Sequence, residues 1–155
     1  METNQQTLAI YAQQLQTSYK QLPVVKSMNE IIELKPVAIA SIKTTLGEPV
    51  LKAFIAELII DFCDFFNVKS NINENQVMQT VDLIIGHYYY LSLEDLKMCF
   101  TNGKLGKNVK IYDRIDGSII FEMIEKHAKL RSETFAAVHE KQHDSIKYKL
   151  EKQRG

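Results

Sequence analysis

Apolar residues recur along this chain at three- and four-residue intervals in one segment after another, broken by short polar or proline-containing stretches, and this rhythm predicts an all-α fold. Leu8, Tyr11, Ala12, Leu15 and Tyr19 make an amphipathic helix of residues 2–21, which Pro23 ends. A short helix over Met28–Leu34 follows Ser27 as its N-cap. It stops at Lys35-Pro36, because a proline ring pushes the residue before it out of the helical region. Residues 37–46 suit another short helix, and Gly47-Glu-Pro49 opens a stronger one over 49–66. That helix carries Val50, Leu51, Phe54, Ile55, Leu58, Ile59, Phe62, Phe65 and Phe66, which is apolar on more than one face, so it is expected at the centre of the fold.

Two capping boxes then mark helix starts. Asn73-Glu-Asn-Gln76 precedes the stripe Val77, Val81, Ile84, Ile85 and Tyr88, and Ser92-Leu-Glu-Asp95 precedes Leu93, Leu96, Met98, Cys99 and Phe100. Asn102-Gly103 is expected to end the second of these helices with a left-handed C-cap. Next comes a basic loop, 103–117, whose inner part Val109 to Ile115 alternates apolar and polar and fits a brief hairpin or an extended ribbon. Asp116 should cap a long C-terminal helix led by Ile119, Ile120, Met123 and Ile124. Past Arg131 its apolar positions thin to Phe135, Val138, Ile146 and Leu150. The expected organisation is therefore a compact multi-helix domain over 1–131 and a charged helical tail over 132–155.

At 155 residues the chain is long enough to bury a core without disulfides or metals, and Cys63 and Cys99, each inside an apolar run, are expected as buried free thiols. The zero net charge conceals a split. Residues 1–96 carry six Lys and eleven acids, whereas residues 97–155 carry thirteen Lys or Arg and eight acids. Any search for phosphate or an acidic partner is thus directed to the second part. The chain opens on no leader-like pattern and holds no apolar run of about 20 residues, which predicts an intracellular protein without a membrane span.

The basic loop is the chemistry-bearing candidate. Lys104, Lys107, Lys110 and Arg114 fall within eleven residues with Asp113 as the only acid among them, and Tyr112 is placed to stack on a base. Lys126, Lys129 and Arg131 follow on the C-terminal helix. Packing supplies a competing account, in which Tyr112 and Ile115 tack the loop to the core and an aspartate pairs with Arg114. Gly103-Lys-Leu-Gly106 lacks the Lys-Ser/Thr and the preceding strand of a phosphate-binding loop. It has the spacing of an RNA-binding KH loop, but that fold needs a three-stranded sheet which the helical pattern does not supply.

Other constellations read as structural. His139-Glu-Lys-Gln-His143 matches the zinc-protease pattern H-E-x-x-H, yet Lys and Gln between the histidines suit a solvated face, and only Asp144 and Glu151 remain downstream as third ligands. Tyr88, Tyr89 and Tyr90, consecutive on a helix, point in different directions, and at least one should serve the core. Asp61 and Asp64, three apart, fit a solvated stripe with no identifiable basic or nucleophilic partner. No metal and no cofactor are expected.

The run Tyr-Tyr-Leu-Ser-Leu-Glu-Asp-Leu-Lys-Met-Cys-Phe-Thr-Asn-Gly-Lys-Leu-Gly-Lys, followed by Lys-Ile-Tyr-Asp-Arg-Ile-Asp-Gly and an apolar helix, resembles an uncharacterised family of small helical proteins encoded by phages and mobile elements of gut Bacteroidetes. The resemblance covers residues 84–131 and departs at Asn108-Val109, where the family pattern would have a turn such as Tyr-Gly. It implies a protein of the bacterial cytoplasm. By analogy of layout, a helical body before a basic tail, it also implies a replication accessory protein of the helicase-loader kind. The expected function is a non-enzymatic binding module in phage or mobile-element DNA metabolism, which meets nucleic acid, or an acidic replication or virion protein, through the basic loop. The alternative is a structural or assembly protein whose terminal helices pack with copies of itself or with a partner.

Overall fold

The computed structural model describes residues 22–154, and the helix expected over 2–21 lies outside them. Six helices follow in order: α1 Met28–Leu34, α2 Ile39–Leu46, α3 Glu48–Phe65, α4 Glu74–His87, α5 Leu93–Lys104 and α6 Gly117–Arg154. Among the described residues there is no β-sheet, only two isolated bridges, Ala38 with Ser92 and Ser70 with Arg114. The fold is all-α, as the spacing predicts. No helix among these residues is long and apolar enough to cross a membrane.

Local chemistry sets most of the boundaries. Ser27 caps α1 by accepting from the Glu30 amide. Lys35 does end α1, but in the left-handed region (φ +47°) rather than in extended backbone. Both capping boxes form, Asn73 with Gln76 and Ser92 with Asp95, so each helix start satisfies amides that would otherwise be orphaned. The amides of Ile39 and Ala40 at the start of α2 instead donate to the carbonyls of Leu91 and Tyr89. This docks α2 on the turn between α4 and α5.

Asp116 caps α6, its Oδ1 accepting from the amides of Ser118 (3.0 Å) and Ile119 (3.3 Å). Asp116→Ala should therefore cost about 1 kcal/mol of stability in a denaturant titration, the usual penalty for losing an N-cap.

Helix α3 packs against α2, α4 and α5 and supplies Leu51, Phe54, Ile55, Leu58, Ile59 and Phe62 to the main core. Val50 and Phe65 of its apolar set are instead exposed. A smaller core of Val25, Met28, Ile31 and Met98 lies beneath α1. Cys63 and Cys99 are buried free thiols; burial, with Asp64 nearby, pushes the Cys63 thiol up to about 12, and burial likewise raises Cys99.

The C-cap expected at Gly103 lies elsewhere. Helix α5 continues through Lys104, and the left-handed glycine is Gly106 (φ +72°). The Gly106 amide reaches the Gly103 carbonyl and the Lys107 amide reaches the Asn102 carbonyl, the paired bonds of a Schellman motif. Gly103 is needed for a different reason: a Cβ there would lie 2.8 Å from both Met123 Cε and Phe62 Cε2.

The loop after α5 is a ribbon, not a hairpin. The amides of Lys69 and Ser70 donate to the Asp113 carbonyl, the Ile115 amide donates to that of Ser70, and Val109 and Ile115 are buried beneath it. Helix α6 spans 38 residues and runs through 131 and 132 without a break, but no residue of it after Ala128 is buried. At 1.5 Å per residue, roughly 39 Å of helix from residue 129 onward continues outside the core.

Candidate anion-binding surface

The Schellman turn and the start of the ribbon bend the chain back over α6 and bring separate cations together. Lys107, Lys110 and Lys126 line one recess of about 360 Å³ with Gly106, Asn108, Val109 and Glu122. The Asn108 amide nitrogen donates to the Cys99 carbonyl (3.0 Å), and Lys126 Nζ donates to the Asn108 carbonyl (3.1 Å) and to Glu122 (3.1 Å). Asn108 thus fastens the loop to α5 and α6. Beside the recess, Lys129 lines a second hollow of about 340 Å³ with Tyr90, Glu125 and Lys126.

The remaining sequence candidates are placed differently. Tyr112 is 78% exposed on the ribbon. Arg114 is likewise exposed, its Nε 3.7 Å from Asp116 Oδ2. Lys104 ends α5 and points to α3, where its ammonium sits 2.6 Å from Asp61 Oδ2 and 5.4 Å from the centroid of Phe65. Asp61 therefore has the basic partner that the sequence did not identify, 43 residues away.

Of the three tyrosines, Tyr88 is half-buried against the core and donates to Glu125, with burial first and this carboxylate second raising its phenol to about 12. Tyr89 and Tyr90 are exposed. His139 and His143 are both exposed on α6, and no cluster of three metal-ligating side chains occurs among the described residues.

Arg131 turns inward, to a cluster that the sequence reading missed. Asp95 is wholly buried; its Oδ1 accepts from His127 Nε2 (2.9 Å), and its Oδ2 accepts from the Ser92 amide (2.9 Å), the Ser92 hydroxyl (2.8 Å) and Arg131 Nε (3.1 Å). The Arg131 guanidinium also stacks 4.4 Å over Phe135. Burial pushes the Asp95 carboxyl up, but the bonds from His127 and Ser92 and the charge of Arg131 more than offset it and hold the group below the usual carboxylate value.

Ser92 and His127 are almost fully buried, and the serine hydroxyl faces Asp95. The cluster locks α5 to α6. A signal for it was present: His127 lies on the stripe of Ile120, Met123, Ile124 and Ala128, and a titratable group on a buried stripe requires a partner. No protein-family model, curated protein or solved structure matches this chain.

Proposed function

We propose that the chain is a non-enzymatic binding module that holds a nucleic-acid strand against the lysine recess, with Lys107, Lys110, Lys126 and Lys129 on phosphates and Tyr90 and Tyr112 available to stack on bases. The observation that carries this reading is the convergence of lysines from two segments, the loop and α6, on one recess beside an exposed tyrosine. Lys104 and Arg131 take no part, since Lys104 is drawn to Asp61 on α3 and Arg131 to the buried Asp95. Glu122 and Glu125 sit among the lysines and offset part of their charge, so the contact is a weak one, micromolar or weaker at physiological salt. A replication-accessory role, drawn only from the analogy of layout between a helical body before a basic tail and proteins of the helicase-loader kind, suits such a contact.

Titration of a fluorescent oligonucleotide at several salt concentrations tests the reading. Each phosphate neutralised releases counterion, so Lys107→Ala/Lys110→Ala/Lys129→Ala should lower the log-log salt slope by about two to three units. An unchanged slope would remove the recess from the interface.

A further inference from the structure

A second surface, separate from the lysine recess, runs along the groove between α3 and α4. Two adjoining hollows of about 560 and 520 Å³ share Ala53 and Met78. The small side chains of Ala53 and Ala56 leave the floor low, while Ile60 and Met78 are 46% and 38% exposed. The border of the larger hollow is acidic, with Glu57, Asp64 and Glu74. An apolar trough between carboxylates suits an amphipathic helix with cationic edges.

The chain itself carries such a helix. On α6 beyond Arg131, the half-buried Phe135 and Val138 and the exposed Gln142, Ile146 and Lys149 follow one another at spacings of three and four residues and share a face, with Leu150 at its edge. Ile146 and Leu150 are 60% and 55% exposed. Glu133, Glu140, Asp144 and Glu151, spaced by seven, four and seven, fall together on the opposite face. Lys149 lies on the apolar face and Lys141 and Lys152 border it on one side, whereas Lys147 falls among the acids and Arg154 between the two faces. The acids of this helix are thus turned away from the face that carries the apolar groups, which Lys141, Lys149 and Lys152 make cationic.

We propose that the α6 tail of one copy lies in the α3–α4 groove of a second copy. Charge complementarity at the larger hollow supports the match, with lysine-bordered apolar side chains meeting Glu57, Asp64 and Glu74, while Lys52 at the smaller hollow is paired with Glu48 and Asp82. Length permits it, since the roughly 39 Å of α6 from residue 129 onward exceeds the roughly 27 Å of the 18-residue α3. Exchanged reciprocally, the tails make a closed dimer; exchanged in one direction, they make an open chain.

Sedimentation of the full chain across about 1–100 µM tests this, with circular dichroism as a check on folding. Wild type should self-associate as concentration rises, and less so at high salt. The tail variant Ile146→Asp/Leu150→Asp and the groove variant Ile60→Asp/Met78→Asp, all at exposed positions, should each be monomeric. Mixed, they should form a one-to-one complex, because one retains the groove and the other the tail. Lys107→Ala/Lys110→Ala should associate as wild type does, so loss of nucleic-acid binding and loss of self-association remain separable. A monomeric wild type, a groove variant that still associates as tail pairing with tail would require, or a mixture that stays monomeric would each overturn the proposal.

Discussion

Replacing Asp95 by alanine should destabilise the protein by about 3–5 kcal/mol, because it removes one member of a buried charge network and leaves the others in place. Asp95 is 0% exposed and receives four donors. Without it, the Ser92 amide and hydroxyl lose their acceptor and α5 loses half of its capping box. His127, 2% exposed at the side chain, cannot reach water in compensation, whereas Arg131 is 20% exposed and can turn outward, which puts the loss toward the lower end of that range. Urea unfolding of Asp95→Ala beside wild type measures it, and a cost below about 1 kcal/mol, the value of a cap alone, would mean that the network adds nothing.

The same carboxylate gives the protein an acid limb. Its folded pKa is depressed, so the stability it contributes is present above its unfolded value of about 3.9 and is lost as pH falls through the lower folded value. Wild type should lose stability across that window, and Asp95→Ala should lose measurably less over the same range.

What the sequence disclosed about this network divides by distance along the chain. Ser92 and Asp95 were legible as a capping box because their reciprocal bonds close within one helical turn, where spacing alone determines geometry. The partners that make Asp95 more than a cap lie 32 and 36 residues on, and nothing local distinguishes an aspartate that caps in water from one that caps inside the core.

The lysines behaved alike. Grouping Lys104 with Lys107 and Lys110 follows from adjacency in sequence, but α5 runs about half a turn past the expected end at Asn102 and carries Lys104 to Asp61 on α3. Of Lys126 and Lys129, which the sequence groups with the loop, Lys126 shares its recess because Asn108 folds the loop back onto α6, and Lys129 lines the hollow beside it. Periodicity predicted the helices and their buried stripes, including the thinning of α6 after Arg131. It carried no information on which cations would face one another.

Gly103 illustrates the same limit, since a glycine followed by a basic loop was read as a helix stop when its purpose is contact. Gly103→Ala should bring two opposed effects. Alanine favours the helix over glycine by about 1 kcal/mol, but its methyl would enter space already held by Phe62 and Met123. Met123 can bend at its Cε end. Phe62 cannot easily withdraw, because it is 0% exposed and its ring is held between Phe66 and Phe100 at centroid distances of 5.2 and 5.3 Å. Overpacking of this kind costs about 1–3 kcal/mol, and with the immobile Phe62 ring toward the upper part of that range the contact should outweigh the propensity and leave the variant up to about 2 kcal/mol less stable. Gly86 supplies the internal control: it lies within α4 with nothing within 4 Å of an added Cβ, and Gly86→Ala should stabilise by about 0.5–1 kcal/mol. Thermal or urea unfolding of the two variants should therefore move in opposite directions. If both were stabilised, the close approach of α5 to Phe62 and Met123 would have to be looser than the packing described here, and the α3–α5–α6 junction would lose its reason for a glycine.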